Sequence, residues 1–312
     1  MYDVIIIGGG PAGLTAGLYA SRAMLKTVLL EKGLTGGQMA STGVIDNYPG
    51  IRNISGMELG QKMEEHAKDF GLEIVLCEVK CLDKEGDIFK VNTDKGEFRS
   101  KTVIMTTGVR PRSLNVPGEK DLKGKGVSYC AICDGFFFRN KKVAVIGGGD
   151  SALEEGDYLT KFADKVCIIH RRDEFRGGQN YRERARKNPK IEFIMDTIAT
   201  EIIGDEFVTA LKLKNKKTGK EWVESFDGVF IYVGTLPNLF VCKIDYDSDK
   251  MGYIKTDDKM STSIKGLFAA GDVRSKLLRQ ITTAVGDGAT ASVSAEKYIE
   301  ELKYQNNLKK VG

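Results

Sequence analysis

The sequence predicts an α/β protein made of two similar three-layer units, the second inserted into the first. Three observations carry this. Val4-Ile5-Ile6-Ile7-Gly8-Gly9-Gly10-Pro11-Ala12-Gly13 is echoed by Val143-Ala144-Val145-Ile146-Gly147-Gly148-Gly149-Asp150-Ser151-Ala152. A second echo closes each unit, because Thr102-Val103-Ile104-Met105-Thr106-Thr107-Gly108-Val109-Arg110-Pro111 resembles Gly228-Val229-Phe230-Ile231-Tyr232-Val233-Gly234-Thr235-Leu236-Pro237. A further glycine motif, Gly266-Leu267-Phe268-Ala269-Ala270-Gly271-Asp272, follows the second closure, so the first unit resumes after the second ends. A chain of 312 residues is long enough for two separate cores. The expected division is 1–113 with 244–312 for the first unit and 114–243 for the second.

In the first unit the pattern reads as a strand Tyr2–Ile7, a tight glycine turn, a helix from about Ala12 to Ala23 and a strand Thr27–Glu31. Gly8 allows the turn, Gly10 lets backbone approach a pyrophosphate, and Gly13 lets helix and strand pack closely. The helix start at Pro11 and Ala12 offers free N–H groups and a positive dipole end to phosphates. Glu31 ends the second strand at the spacing where an acid accepts hydrogen bonds from ribose hydroxyls. Alone, a Gly-x-Gly-x-x-Gly is weak. With a strand before it, a helix after it and the acid in place, it marks a Rossmann-like dinucleotide site.

The second unit repeats the plan with Gly147, Gly149 and, at the third position, Ala152; Asp150 and Ser151 open its helix. Its second strand, Lys165–Ile169, ends differently, on His170-Arg171-Arg172-Asp173-Glu174-Phe175-Arg176. Arg171 falls at nearly the spacing from Gly147 that Glu31 has from Gly8. Arginine clamps a 2′-phosphate where an acid would repel it, so this site is expected to take NADPH rather than NADH. The bland alternative is a solvated basic loop, since Arg182, Arg184, Arg186 and Lys187 follow on what reads as an exposed helix.

Just ahead of the second glycine loop stands Cys130-Ala131-Ile132-Cys133-Asp134-Gly135. Two thiols at this spacing can close a small disulfide ring, and one thiolate can be activated by its surroundings. A structural zinc site usually needs a second such pair. No second Cys-x-x-Cys exists, since three residues separate Cys77 from Cys81, and the only histidines are His66 and His170. Six cysteines in this length are not a secreted disulfide scaffold. A redox pair beside a dinucleotide loop points to electrons moving from a nicotinamide to a disulfide. Cys77, Cys81, Cys167 and Cys242 are expected to be buried apolar residues.

Composition excludes other classes. Apolar residues make up 41%, normal for a globular protein. The net charge of +4 is too mild, and the basic residues too free of interleaved aromatics, to suggest nucleic acid. No apolar run approaches a membrane span. Met1-Tyr2-Asp3 leads straight into a strand without a charged leader, so a cytoplasmic protein is expected.

These residues together resemble the bacterial low-molecular-weight thioredoxin reductases. The resemblance covers nearly the whole chain and rests on Gly8–Gly13, Gly36-Gly37-Gln38, Asp46-Asn47-Tyr48-Pro49-Gly50, Cys130–Gly135, Gly147–Ala152, His170–Arg176, Gly266–Val273 and Arg279-Gln280. It implies FAD in the first site and NADPH in the second. It implies that Glu31, Lys32, Gly36, Gly37 and Gln38 wrap the adenosine and pyrophosphate side of FAD, with Asn47 near the flavin ring. It places Asp272, after Gly271, on the ribityl chain, and Arg279, Gln280 and Ile281 near the isoalloxazine; Thr107 and Gly108 join the cofactor site. A Gly-Asp turn after an apolar strand is also a place where an acid meets ligand hydroxyls, although Gly271-Asp272 alone could be a plain turn.

The resemblance further implies that Cys133 faces the flavin, that Cys130 attacks the disulfide of thioredoxin, and that Asp134 donates and accepts the proton. The bland reading of Asp134-Gly135 is a turn dipeptide. A homodimer is implied, as is rotation of the inserted unit about linkers near Arg112–Asn115 and Lys243–Asp245. Two departures stand out: Ile132 replaces the more usual threonine, and the chain ends Lys309-Lys310-Val311-Gly312 without a cysteine relay. Other readings are a reductase of another thiol carrier, glutaredoxin-like or peroxiredoxin-linked, a ferredoxin-fed enzyme, and a non-catalytic redox-sensing flavoprotein. The arginine cluster speaks against the last two.

Overall fold

The computed structural model describes residues 1–311; Gly312, the final residue of the expected third segment, lies outside the described residues. The chain divides into two compact units, Met1–Arg110 with Leu236–Gly312, and Pro111–Thr235. It passes between them along two short strands, Val109–Pro111 and Thr235–Pro237, which pair with each other. Lys243, expected in the second linker, donates its backbone N–H to Leu82 O at 2.9 Å inside the first unit.

In the first unit, five parallel strands stand in the order Glu73–Leu76, Thr27–Glu31, Tyr2–Ile7, Gly96–Met105 and Leu267–Ala269. Tyr2–Ile7 is a near-continuous apolar run because both of its faces are covered. Val4 and Ile6 pack among the helices Pro11–Arg22 and Ile281–Val311, while Ile5 and Ile7 pack into a second core on the other face. Period-two alternation thus builds the layers from one strand. The antiparallel strands Val79–Glu85 and Ile88–Thr93 turn at Gly86 and extend the sheet through the first half of Gly96–Met105. The helix Gly56–Asp69 is capped by Ser55, whose side chain accepts from the Glu58 N–H at 3.1 Å.

The second unit repeats the first four positions of this order with Ile191–Ile194, Lys165–Ile169, Lys142–Gly147 and Gly228–Tyr232, and adds at the fifth Val127–Ser128, which precedes the glycine loop in the chain; all are parallel. Val143 and Val145 face a core shared with the helix Asp150–Leu159. Ala144 and Ile146 face the separate antiparallel sheet Thr197–Gly204, Val208–Asn215 and Glu221–Ser225. The internal echo of the sequence is therefore an echo of topology. Cys77 and Cys167 are buried as expected, but Cys81 and Cys242 are only half-buried, because they lie on the paired strands at the end of the sheet.

Candidate cofactor and redox sites

The first glycine loop is shaped by close approach. Gly8 has a positive φ of 108°, and a Cβ there would lie 2.6 Å from Thr106 O; one on Gly13 would lie 1.9 Å from Gly8 O. Gly10, the N-cap of the helix Pro11–Arg22, has nothing within 4 Å of its would-be Cβ, so the helix start opens onto free space. Glu31 is held from both sides: its carboxylate oxygens accept from the Gly9 N–H at 2.6 Å and the Gly33 N–H at 2.8 Å. Its remaining lone pairs are what it can offer a ribose. Lys32 instead forms an ion pair with Glu78 at 2.6 Å. Gly36 donates to Gly9 O at 2.8 Å, and Gln38 hydrogen-bonds Val109 O.

Two orphaned polar atoms test the fit of a cofactor here. Asp272 Oδ1 and Thr107 Oγ1 are buried in the first unit without a hydrogen-bond partner. Such groups are costly unless something pairs with them. Hydroxyls of a ribityl chain would supply donors for the acid, so the residues present fit FAD. Burial, which outweighs Lys276 and Arg279, pushes the Asp272 carboxyl up. Asn47 donates to Gln280 Oε1 at 3.1 Å, bringing two expected residues together. Ile281 packs beside Met39, Ile45, Ile54 and Leu59. Arg279 donates to the carbonyls of Asp272 and Arg274, both at 3.2 Å, and stacks 4.0 Å above Tyr253. Gly108 has a positive φ of 65° and open space at its Cβ. The sequence reading missed Asp287, which binds the Gly271 N–H at 3.0 Å, Arg274 at 2.9 Å and Lys276 at 2.7 Å.

In the second unit, a Cβ on Gly147 would meet Tyr232 O at 2.4 Å, and Gly149 opens the helix Asp150–Leu159 onto free space. The basic segment is tied back to this loop. Arg176 and Gly177 donate their N–H groups to Gly148 O at 2.8 and 3.1 Å, and Gly178 donates to Asp150 Oδ1 at 2.6 Å. Ser151 is exposed at the same helix start, and Ala152 is buried beneath it. Arg171, Arg172 and Arg176 are exposed. Among the described residues their guanidinium groups take part in none of the ion pairs, which leaves three donor forks for a phosphate. His170 is buried under Gly148 and stacks on Phe175 at 5.4 Å. Its Nε2 has no partner, and burial first, then the neighbouring arginines, push its pKa down.

Cys130 and Cys133 form a disulfide with Cα atoms 5.4 Å apart. Cys130 caps the four-residue helix Ala131–Asp134, and its Sγ accepts from the Cys133 N–H at 3.2 Å. Cys133 is exposed and Cys130 half-buried. Asp134 Oδ2 accepts from Ser128 Oγ at 2.6 Å, and Ser128 Oγ in turn accepts from the Cys130 N–H at 3.0 Å. Asp134 therefore reaches the pair through Ser128, which the sequence reading did not single out. Phe136 and Phe137 directly behind the helix are 57% and 69% exposed, an apolar surface beside the pair. Also missed was Glu119, a buried acid that accepts from the N–H groups of Leu114 and Asn115 at 2.9 and 2.6 Å and from the Tyr129 hydroxyl at 2.6 Å. Burial and this acid push Tyr129 up to about 12. No group of three or more potential metal ligands occurs among the described residues.

Comparison with known proteins agrees with this arrangement. Residues 2–288 match the pyridine nucleotide-disulphide oxidoreductase family. The chain is 49% identical over 304 residues to a thioredoxin reductase of Listeria innocua, covering 97% of this chain and 95% of that protein. It is 47% identical over 310 residues to a thioredoxin reductase of Bacillus subtilis, covering 97% and 96%. The crystal structure of Lactococcus lactis thioredoxin reductase in its FR conformation superposes with a TM-score of 0.93 at 49% identity, covering 96% of this chain and 100% of that one.

Proposed function

The chain belongs to the pyridine nucleotide-disulphide oxidoreductase family, and we propose that it works there as a thioredoxin-disulfide reductase drawing electrons from NADPH through FAD. The observation that carries this reading is the half-exposed Cys130–Cys133 disulfide in the same unit as an arginine-fringed nucleotide loop. Bound NADPH supplies a hydride and bound FAD turns it into an electron pair for the disulfide.

The residues of the chain do the rest. The helix starts after Gly10 and Gly149 receive pyrophosphates; Glu31 orients a ribose; Asp272 holds ribityl hydroxyls; Arg171, Arg172 and Arg176 grip the 2′-phosphate. Two electrons and one proton open the Cys130–Cys133 bond into one thiol and one thiolate. Cys130 then attacks the partner disulfide and expels a partner thiolate. Cys133 attacks the mixed disulfide, releases the second partner thiol and restores the bond. Asp134, through Ser128, takes and returns the proton. Phe136 and Phe137 suit a protein substrate. The likeness to the family also supports a homodimer and a cytoplasmic setting. No described helix is long and apolar enough to cross a membrane.

The test is steady-state oxidation of NADPH by the purified yellow protein, followed at 340 nm with and without thioredoxin. NADH, reduced ferredoxin and a glutaredoxin serve as separate arms. Thioredoxin-dependent loss of NADPH is expected. Turnover with ferredoxin alone, or none with any disulfide protein, would overturn the proposal.

A further inference from the structure

A half-buried acid lies beside the cysteine helix, and the chemistry above does not use it. Glu155 sits on the helix Asp150–Leu159, which opens at the second glycine loop. Its Oε2 accepts from the Tyr232 hydroxyl at 3.5 Å, and that hydroxyl accepts from the Ala131 N–H at 2.8 Å. Ala131 is fully buried and is the first residue of the cysteine helix. Free N–H groups at such a helix start ordinarily favour a nearby anion, and so favour a thiolate. Here the Ala131 donor is turned instead to a phenol and to the carboxyl group of Glu155 beside it.

Glu155 takes part in none of the ion pairs among the described residues, and no cation is among the groups that shift it. Burial, and after it Glu154 from its own helix, push its carboxyl up to about 7 against the hydrogen bonds from Tyr232 and the Ala131 N–H. Tyr232 faces it from the strand Gly228–Tyr232, and Asp134 on the cysteine helix acts on that tyrosine. From the helix Gln179–Lys187, Arg184 is engaged by Asp157 at 2.5 Å and also acts on Glu154. The strands Lys142–Gly147 and Lys165–Ile169 present Val145 and Ile168 to the helix at Gly156.

We propose that Glu155 is a positioning residue for the Cys130–Cys133 pair, acting through Tyr232 and the Ala131 N–H, and that it takes up a proton when the pair is reduced. This role presupposes the redox pair proposed above. With Glu155 ionised, two electrons from NADPH and two protons convert disulfide and carboxylate into one thiol, one thiolate and one carboxylic acid. Ionised Glu155 opposes the new thiolate, so the pair is harder to reduce above the pH at which this acid titrates.

Equilibration of the purified holoprotein with glutathione, quenched by alkylation and read by mass, gives the dithiol–disulfide constant without turnover or thioredoxin. Wild type and Glu155→Gln should agree at about pH 5.5, where the acid is protonated, and diverge as pH rises through about 7. By about pH 8.5 the Gln variant should be about tenfold more readily reduced, the change that one unit of proton affinity represents. An unchanging ratio across pH, whether one or a constant offset, overturns the proposal. If Glu155→Gln does not fold, reduced-minus-oxidised infrared spectra of wild type near pH 7 decide. A protonated-carboxyl band gained on reduction, and shifted or lost in Tyr232→Phe, supports the role; absence of that change overturns it. A wild type that reduces thioredoxin but shows no pH-dependent gap refutes only the Glu155 role. One that shows the gap but is inert towards thioredoxin refutes only the function.

Discussion

Replacing Arg171 and Arg172 together by alanine should convert this protein from an NADPH enzyme into one nearly indifferent between NADPH and NADH. Both side chains are exposed and take part in none of the described ion pairs, so their removal leaves no buried acid uncompensated. Stability should change by less than about 0.5 kcal/mol per site, the usual range for such surface changes. A contact between an arginine and one unit of negative charge on the 2′-phosphate at about 4 Å is worth about 1 kcal/mol in water and about 4 near a protein surface. Taking about 1.5 kcal/mol per arginine, the pair contributes about 3 kcal/mol, or about a hundredfold in affinity. KM for NADPH should therefore rise about a hundredfold with kcat unchanged, the pattern expected when binding is lost equally from ground and transition states. KM for NADH should move less than about threefold. The assay is thioredoxin-dependent oxidation of each nucleotide at two salt concentrations; added salt should weaken NADPH binding to the wild type and leave the variant nearly flat. An equal rise in both KM values would mean that the loop had collapsed, and no rise in either would mean that the phosphate lies elsewhere. Both results would refute the assignment.

Gly13→Ala places a Cβ 1.9 Å from Gly8 O and should abolish flavin binding and lower stability by several kcal/mol, read from the flavin absorbance and a melt. Asp272→Asn tests an acid whose pKa is raised by burial. A raised carboxyl pKa means that the folded state holds the proton more tightly, so flavin-free protein loses stability as pH rises from the unfolded value through the folded one. The Asn variant without flavin should therefore melt higher than wild type at pH 7 but not at about pH 3, while binding FAD more weakly. Glu119→Ala strands the Leu114 and Asn115 N–H groups and the Tyr129 hydroxyl, and should cost about 3 kcal/mol in a denaturant titration. Cys130→Ser should stop thioredoxin reduction while the protein stays yellow; persistence of turnover would reassign the attacking sulfur.

The two glycine loops could be read without a structure because their chemistry is local. A strand, a turn that only glycine can make and a helix start lie within about ten residues, and steric demand writes itself directly into residue type. The topology repeated with the motif, so the second unit was legible from the first. The arginine segment and the Cys-x-x-Cys are equally local. Burial was less legible. His170, grouped with the arginines in the sequence, lies under Gly148 against Phe175, and Cys81 and Cys242 are more exposed than small apolar residues in strands suggest.

What the sequence alone determined, then, is the α/β plan stated twice, the two glycine loops, the arginine-rich turn and the cysteine spacing. What only the tertiary structure decided is how polar groups far apart in the chain satisfy or fail to satisfy one another. Ala131 meets Tyr232 and Tyr232 meets Glu155 across two strands of sequence unrelated to the cysteine motif. Asp287 gathers Gly271, Arg274 and Lys276 from the last helix. Glu31 spends its first lone pairs on Gly9 and Gly33 rather than on a ribose. The physical reason is the same in each case. Backbone conformation depends on neighbours along the chain, whereas the cost of a buried charge or hydroxyl depends on which partners packing brings within about 3 Å.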